Sequence, residues 1–160
     1  PLPPEDPGAR ICAFANARFA ESIHATIEQG LQVPGAVDVT AKLRGPGTPR
    51  LVKAHGSTYL LPTIVWCEDP EHPLANKEFL FPYAAVIQAP REEILSRIGP
   101  TLVAIALTRD PTFRRQFLVC PSIDRLNLGG VPTCRLSWDQ PHEGNLFQHL
   151  WRQRALQHVA

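Results

Sequence analysis

The stretch AAVIQAPREEILSRIGPTLVAIALTRDP, residues 84–111, indicates the fold class of this chain. An apolar run of strand length is followed by a helix-like stretch that begins at Pro90 with acidic residues in its first turn. A second apolar run, Leu102–Leu107, comes next, and Asp110 and Pro111 then supply the N-cap and first residue of another helix. Alternating strands and helices predict an α/β fold, with a largely parallel sheet and covering helices. The second apolar run is expected to be covered on both faces.

The other elements lie on both sides of this stretch. An extended, proline-rich lead-in over 1–9 precedes a helix over 10–31, in which Phe19, Ile23 and Ile27 repeat at helical spacing. Further strands are predicted at 36–43, 51–52, 59–66 and 123–128, loops at 44–58 and 129–142, and a final helix at 143–158. No second domain boundary is visible, so the whole chain is expected to form one domain, with an α/β core over 36–138.

The composition excludes several classes of protein. The chain has 160 residues, of which 44% are hydrophobic and 19% are charged, so it can build a core. The net charge is +1, from 16 Lys and Arg against 15 Asp and Glu, so no basic field points to nucleic acid. The apolar runs are far shorter than the roughly 20 residues that a membrane helix needs. We therefore expect neither a nucleic-acid partner nor a membrane partner.

Two residue counts bear on the extent of the protein. The sequence has no Met, even at position 1, and 17 of its residues are Pro. Since it begins Pro-Leu-Pro-Pro without an initiator Met, the chain is expected to be a segment of a longer protein.

The four cysteines, Cys12, Cys67, Cys120 and Cys134, lie far apart. They lack the close spacing of a zinc site and are too few for a disulfide scaffold. We expect four reduced thiols, packed as small hydrophobic side chains in a cytoplasmic protein.

Two groups of residues combine histidine with a thiol or carboxylate and are candidate metal ligands. Cys67 and His72 are close in sequence, and His142, Glu143 and His149 cluster near the end. Neither group has the spacing of the H-E-x-x-H motif, and nothing orders a Cys–His pair for catalysis. No metal site is expected.

Six stretches of the chain, taken in order, match the motifs of a known enzyme family. They are Asp6-Pro7-Gly8 with the helix after it, Gly35-Ala36, GSTYLLPTI at 56–64, NKEFLFP at 76–82, Leu107-Thr108-Arg109-Asp110, and Leu126-Asn127. Together they resemble the C-terminal part of the catalytic domain of the aldehyde dehydrogenase superfamily, over residues 6 to about 130. The resemblance implies a divergent, partial aldehyde-dehydrogenase-like catalytic domain.

The resemblance also implies a binding site for NAD or NADP. In the family motif E-E-I-F-G-P, the second Glu hydrogen-bonds the nicotinamide ribose hydroxyls and the Phe packs near the nicotinamide. Glu78 matches that Glu, and Leu80 stands at the Phe position, so an apolar wall is kept without the ring. A carboxylate suits vicinal hydroxyls because it accepts two donors at once. Without the resemblance, Glu78 beside Lys77 has the pattern of an ordinary surface carboxylate.

The chain also departs from the family pattern. Phe81 replaces the family's Gly, the loop over 138–145 replaces its P-F-G-G-x-K motif, and the stretch after Pro90 is short. Cys12 is only 66 residues before Glu78, too close to match the family's nucleophilic Cys. The resemblance therefore implies that the nucleophile lies upstream of residue 1, so no catalytic residue is expected in this chain.

Two hypotheses about function follow. The first is a segment of an NAD(P)-dependent aldehyde dehydrogenase, which oxidises an aldehyde to a carboxylic acid through a Cys thioester. Its partners would be an aldehyde substrate, the remainder of the parent chain and further copies in a homo-oligomer, and the segment alone would be inactive. The alternative is a non-catalytic assembly or interaction module of the same fold, whose exposed strand edges pair with a partner subunit. The sequence leaves the aldehyde, and the choice between NAD and NADP, open.

Overall fold

The computed structural model describes residues 1–45, 47–132 and Arg135. Its elements are α1 (Ala17–Leu31), β1 (Ala36–Asp38), β2 (Leu51–Ala54), β3 (Ser57–Leu60), β4 (Thr63–Cys67), β5 (Tyr83–Ile87), a 3-10 turn (Arg91–Glu93), α2 (Ile94–Ile98), β6 (Thr101–Ala106), α3 (Pro111–Val119) and β7 (Ile123–Leu128). The mixture of helices and sheets confirms the predicted α/β class. The chain divides into two compact units, Pro1–Ala89 and a second unit that begins at Pro90.

Helix α1 begins at Ala17, not at residue 10 as the apolar spacing predicts. The Asn16 side chain caps it by accepting a hydrogen bond from the Arg18 amide at 3.0 Å. Just before this cap, the Phe14 amide donates to the Thr58 carbonyl at 2.9 Å. This isolated β-bridge draws the backbone into an extended pairing, so the helix cannot include Phe14.

Residues 1–9 form turns instead of the predicted extended lead-in. The Asp6 amide donates to the Pro3 carbonyl at 3.0 Å, and the Ala9 amide donates to the Asp6 carbonyl at 2.9 Å. The Asp6 side chain accepts from the Gly8 amide at 2.7 Å. An Asp side chain favours such turns because it bonds to its own backbone two residues further on.

One face of α1 forms part of the core of the first unit. The buried core cluster consists of Ala20, Ile23, Ile27, Leu60, Val65, Cys67, Leu74 and Ala75. The apolar repeat of the sequence is thus largely confirmed, although Phe19 is exposed. In the described part of the chain, no helix is long and apolar enough to cross a membrane.

A three-stranded sheet lies in the first unit, with β4 at its centre. Strand β1 is antiparallel to β4, and β5 is parallel to it. Val37, Trp66 and Val86 stand opposite one another across the three strands. Val37 and Val86 are exposed, as is Ile64 on β4. We call the side of the sheet that carries Val37, Ile64 and Val86 its outer face.

The strand predicted over 36–43 ends at Asp38. The Asp38 side chain accepts hydrogen bonds from the Thr40 and Ala41 amides, both at 3.0 Å. The Thr40 carbonyl then accepts from the Leu43 and Arg44 amides. These local bonds close turns, and they replace the sheet pairing that the alternating apolar residues favour.

The stretch predicted as a loop over 44–58, apart from a strand at 51–52, contains most of a β-hairpin, and its first strand, β2, includes the predicted 51–52. Strands β2 and β3 pair antiparallel, joined by His55 and Gly56, which both have positive φ, 51° and 69°. Two such residues form the type I′ turn that matches strand twist. The strand predicted over 59–66 is divided at Pro62, which cannot donate to a ladder, so β3 and β4 belong to different sheets.

The second unit contains a parallel pair, β6 and β7, with α3 between them in sequence. The pairing runs from Thr101 opposite Ile123 to Ala106 opposite Leu128. The Asp110 side chain caps α3 by accepting from two amides, at 2.7 and 3.1 Å. The helix predicted from Asp110-Pro111 and the strand predicted over 123–128 are confirmed.

Strand β6 is only partly covered. Ala104 and Ala106 are buried, but Leu102 on the same face is exposed, as are Ile105 on the other face and the following Leu107. The expected cover on both faces is therefore absent within the described residues. The predicted helix over 143–158 and the loop over 138–145 lie outside the residues that the structure describes.

Candidate cofactor-binding segment

Residues 77–82, which carry both predicted cofactor contacts, form an irregular segment directly before β5. We call it the cofactor segment. Within it, the Phe81 amide donates to the Phe79 carbonyl at 2.8 Å. At its end, the Pro82 carbonyl accepts from the Thr63 amide at 2.9 Å. The segment is thus tied to the start of β4, the central strand of the sheet.

Three aromatic side chains hold the segment against the core of the first unit. The rings of Phe79 and Tyr83 meet edge to face at 4.9 Å, and Phe81 lies 6.0 Å from Tyr83. All three pack against the buried core cluster. The Tyr83 hydroxyl donates to the Leu74 carbonyl at 2.8 Å, and burial raises the pKa of Tyr83 to about 12. The aromatic residues therefore form a fixed base for the segment.

Glu78 and Leu80 are exposed. Phe79, which lies between them in the sequence, and Phe81, which follows Leu80, are partly buried. Leu80 is 77% exposed. The exposed Glu78 carboxylate can accept hydrogen bonds from two hydroxyl groups. The exposed Leu80 side chain can provide an apolar contact beside it. Both predicted residues are therefore accessible to solvent.

Phe81 packs inward at the position where the family motif has Gly. Its ring contacts the core cluster, and among the described non-Gly residues only His55 has a positive φ. The backbone at Phe81 therefore does not need the conformational freedom of Gly.

A buried ionic cluster lies where the segment is anchored. Asp38 Oδ2 accepts from Arg50 at 2.6 Å and from Arg44 at 2.5 Å. The side chains of Asp38 and Arg50 are 7% and 2% exposed. Burial by itself raises the pKa of Asp38, but hydrogen bonds from Thr40, Arg44 and Arg50 outweigh it and hold the pKa below its usual range.

Sequence analysis missed this cluster. Arg44 and Arg50 lie in the stretch predicted as a surface loop, and Asp38 lies in a predicted strand. The one available signal was Asp-x-Thr at 38–40, a pattern typical of a side-chain-capped turn.

Cys67 and His72 come together at the carboxyl end of β4. The Cys67 sulfur lies 3.8 Å from His72 Nδ1, beside a shallow groove of about 380 Å³ that includes Glu68 and Asp69. His72 Nδ1 accepts from the Leu74 amide at 3.1 Å, and burial raises the pKa of Cys67. Since the thiol is held protonated and the imidazole is already bonded to the backbone, the pair lacks an activated nucleophile. Across the described ranges, no group of three or more His, Cys, Asp or Glu could hold a metal ion.

The described cysteines are free thiols in three different environments. Cys67 is buried as expected, but Cys12 is exposed and precedes α1, so the expected packing at position 12 is wrong. Cys120 is half-buried, and a hydrogen bond with Ser122 lowers its pKa. Cys134 lies outside the described residues.

Comparison with known proteins identifies the fold. No family model matches the chain, and no curated protein matches it. Solved structures of aldehyde dehydrogenases do match. Lactaldehyde dehydrogenase from Escherichia coli aligns over 87% of this chain and 28% of its own, with a TM-score of 0.65 and 15% identity.

Two further solved dehydrogenases match the fold at similarly low sequence identity. Indole-3-acetaldehyde dehydrogenase from P. syringae, solved with NAD+, aligns over 84% of this chain and 26% of its own, with a TM-score of 0.61 and 16% identity. Glyceraldehyde-3-phosphate dehydrogenase from Methanocaldococcus jannaschii, solved with NADP, aligns over 84% and 27%, with a TM-score of 0.59 and 16% identity. The chain spans about a quarter of the length of these proteins. Its fold is that of part of an aldehyde dehydrogenase.

Proposed function

We propose that this chain is part of an NAD(P)-dependent aldehyde dehydrogenase, and that its cofactor segment contributes to the dinucleotide site. The observation that carries the proposal is the joint exposure of Glu78 and Leu80 on a segment anchored to the central strand of an aldehyde-dehydrogenase-like fold. The nucleophilic Cys is supplied by another part of the parent chain.

The residues of the segment fit a ribose and its attached ring. Glu78 accepts hydrogen bonds from two vicinal hydroxyls with its two carboxylate oxygens, and Leu80 presents an apolar side chain beside them. A dinucleotide held there would supply the hydride acceptor for oxidation of an aldehyde. The aromatic base formed by Phe79, Phe81 and Tyr83 anchors the backbone that carries both residues.

The first experiment compares Glu78→Gln with Glu92→Gln in the full-length protein that contains this chain. Glu78→Gln replaces a charged acceptor with a neutral amide, so the KM for the dinucleotide rises about tenfold. Glu92→Gln is the matched control, because Glu92 is also exposed but lies in the 3-10 turn of the second unit. Steady-state kinetics with NAD+ and NADP+ measure the effect.

An unchanged KM in Glu78→Gln would contradict the role of Glu78. The 160-residue chain, incubated alone with aldehyde and NAD+ or NADP+, is expected to form no NADH or NADPH. Turnover above buffer would overturn the assignment of the nucleophile to another part of the parent.

The alternative function, a non-catalytic assembly module of the same fold, is favoured by one observation. Apolar side chains are exposed on the outer face of the first unit and along β6 in the second. This alternative predicts that a full-length protein binds no dinucleotide, so the same kinetic and binding measurements separate the two functions.

A further inference from the structure

We infer that Arg50 is a positioning residue for the cofactor segment, and that it acts through the Thr63 side chain and the Pro82 carbonyl. The inference rests on the proposed function, since it concerns the placement of Glu78. It adds a role for a buried residue, distant in sequence from the cofactor segment, in fixing the position of that segment.

Arg50 connects four parts of the first unit. Its guanidinium donates to Glu28 on α1 at 2.8 Å, to Asp38 at the end of β1 at 2.6 Å, and to the Thr63 hydroxyl at the start of β4 at 3.0 Å. Its own carbonyl accepts from the Leu61 amide at 2.9 Å. A planar guanidinium with donors in fixed directions holds its partners in one geometry, which an ammonium group cannot do.

Thr63 carries this constraint to the cofactor segment. Its side chain is buried, and its hydroxyl donates to the Leu61 carbonyl at 2.9 Å while accepting from Arg50. Its amide donates to the Pro82 carbonyl at 2.9 Å, next to the first pair of the β4–β5 ladder, Thr63 with Tyr83. The end of the segment is therefore fixed to a residue whose own position depends on Arg50.

The charges around Arg50 make the arrangement rigid. Asp38 Oδ2 is shared by Arg50 and Arg44, and Arg44 also reaches the Pro62 carbonyl at 3.2 Å. A charge in this buried place is stable only with its partners in position, so displacement of one member displaces the others. By contrast, Glu78 and Leu80 lie on irregular backbone, which relies on its anchors for a defined position.

The test uses hydrogen exchange on the 160-residue chain. Thr63→Val removes the hydroxyl that accepts from Arg50 and donates to the Leu61 carbonyl, but it keeps the side-chain shape and the hydrogen bond from the Thr63 amide to the Pro82 carbonyl. In the peptide 77–83 the protected Phe81 amide, which donates to the Phe79 carbonyl, is expected to exchange about tenfold faster, while the amides of α1 are unchanged. Thr63→Ser keeps the hydroxyl and restores slow exchange. Thr58→Val is the matched control, because the Thr58 side chain is buried and its hydroxyl makes no hydrogen bond within the described residues.

Exchange of 77–83 at the wild-type rate in Thr63→Val would overturn the inference. If Thr63→Val loses the fold, which α1 would report by exchanging as fast as the segment, Thr63→Ala removes the same hydroxyl with less bulk and supplies the comparison. The result does not depend on dinucleotide binding, so it separates this inference from the proposed function.

A second measurement links position to binding in the full-length protein. Thr63→Val is expected to raise the KM for the dinucleotide about fivefold and to leave kcat within about twofold. If Thr63 only stabilised the fold, Thr63→Val would lower the fraction of active protein, and hence the apparent kcat, and would leave KM unchanged. That result would overturn the inference. If Glu78→Gln leaves KM unchanged while the exchange result holds, the proposed function fails and the positioning role stands.

Discussion

At the residue scale, Asp38 balances two buried cations. Its carboxylate bonds to Arg44 and Arg50, while Glu28 supplies a second, half-exposed counter-charge to Arg50. A buried ion pair gains little over a packed apolar pair, but losing one partner is costly because the other charge stays buried. The cluster therefore makes the fold of the first unit sensitive to a single substitution.

Asp38→Asn is expected to destabilise the chain by about 3–5 kcal/mol, because Arg44 and Arg50 then share no anionic partner at that point. The pH dependence follows from the lowered pKa of Asp38. Its stabilising contribution is complete above the unfolded value of about 3.9 and is lost as the pH falls through the lower folded pKa. Urea denaturation between about pH 7 and pH 3 measures both effects.

The control for this substitution is Asp124→Asn, since Asp124 is an exposed carboxylate on β7. It should change stability by less than about 0.5 kcal/mol. An equal loss in both variants, or an unchanged acid dependence in Asp38→Asn, would show that the buried cluster does not contribute as described.

At the scale of elements, α1 meets the turn before the cofactor segment at Gly30. A Cβ at position 30 would lie 2.5 Å from Leu74 Cγ, and Leu74 is fully buried. By helix propensity alone, Gly30 would only be a weak point in the last helical turn. The structure instead shows a close approach that only Gly allows, so α1 and the Leu74 turn pack as one piece.

Gly30→Ala is expected to destabilise the chain by about 1–3 kcal/mol, despite the better helix propensity of Ala, because Leu74 must move. Thermal or urea unfolding measures the loss. Gln29→Ala, on the exposed side of α1, should stay within about 0.5 kcal/mol of the wild type.

A double-mutant cycle isolates the contact. In a Leu74→Ala background, Gly30→Ala should be much less costly, because the side chain that the new Cβ meets is gone. An equal cost in both backgrounds would contradict a clash with Leu74.

At the scale of the whole molecule, both units leave apolar sheet residues exposed. Val37 is 56% exposed on the outer face of the first unit, and Leu102 is 51% exposed on β6 of the second. Contiguous exposed apolar surface on a folded chain promotes association. This finding agrees with a chain that spans about a quarter of the length of its structural neighbours.

The isolated chain is accordingly expected to self-associate at micromolar concentration, as sedimentation velocity would show. Val37→Thr and Val86→Thr together keep β-branched shape on the outer face and should reduce association. Ala25→Thr, on the exposed side of α1, is the control and should not. A wild-type chain that sediments as a clean monomer and melts cooperatively would refute this expectation.

Elements whose signals are local could be predicted from the residues alone. Asp110 and Pro111 predict the start of α3, and the apolar runs predict β5 and β6, because caps and strand propensities act between neighbouring residues. Glu78 and Leu80 could be named only through the family resemblance, since one carboxylate beside an apolar residue is not a distinctive pattern.

The tertiary structure alone decided which charges are buried. Arg50 lies 22 residues from Glu28, 13 from Thr63 and 12 from Asp38, and only folding brings these groups into one cluster. The same holds for the contact between Gly30 and Leu74. Hydrogen bonds, ion pairs and close packing depend on distances in space, which no local pattern of residue types encodes.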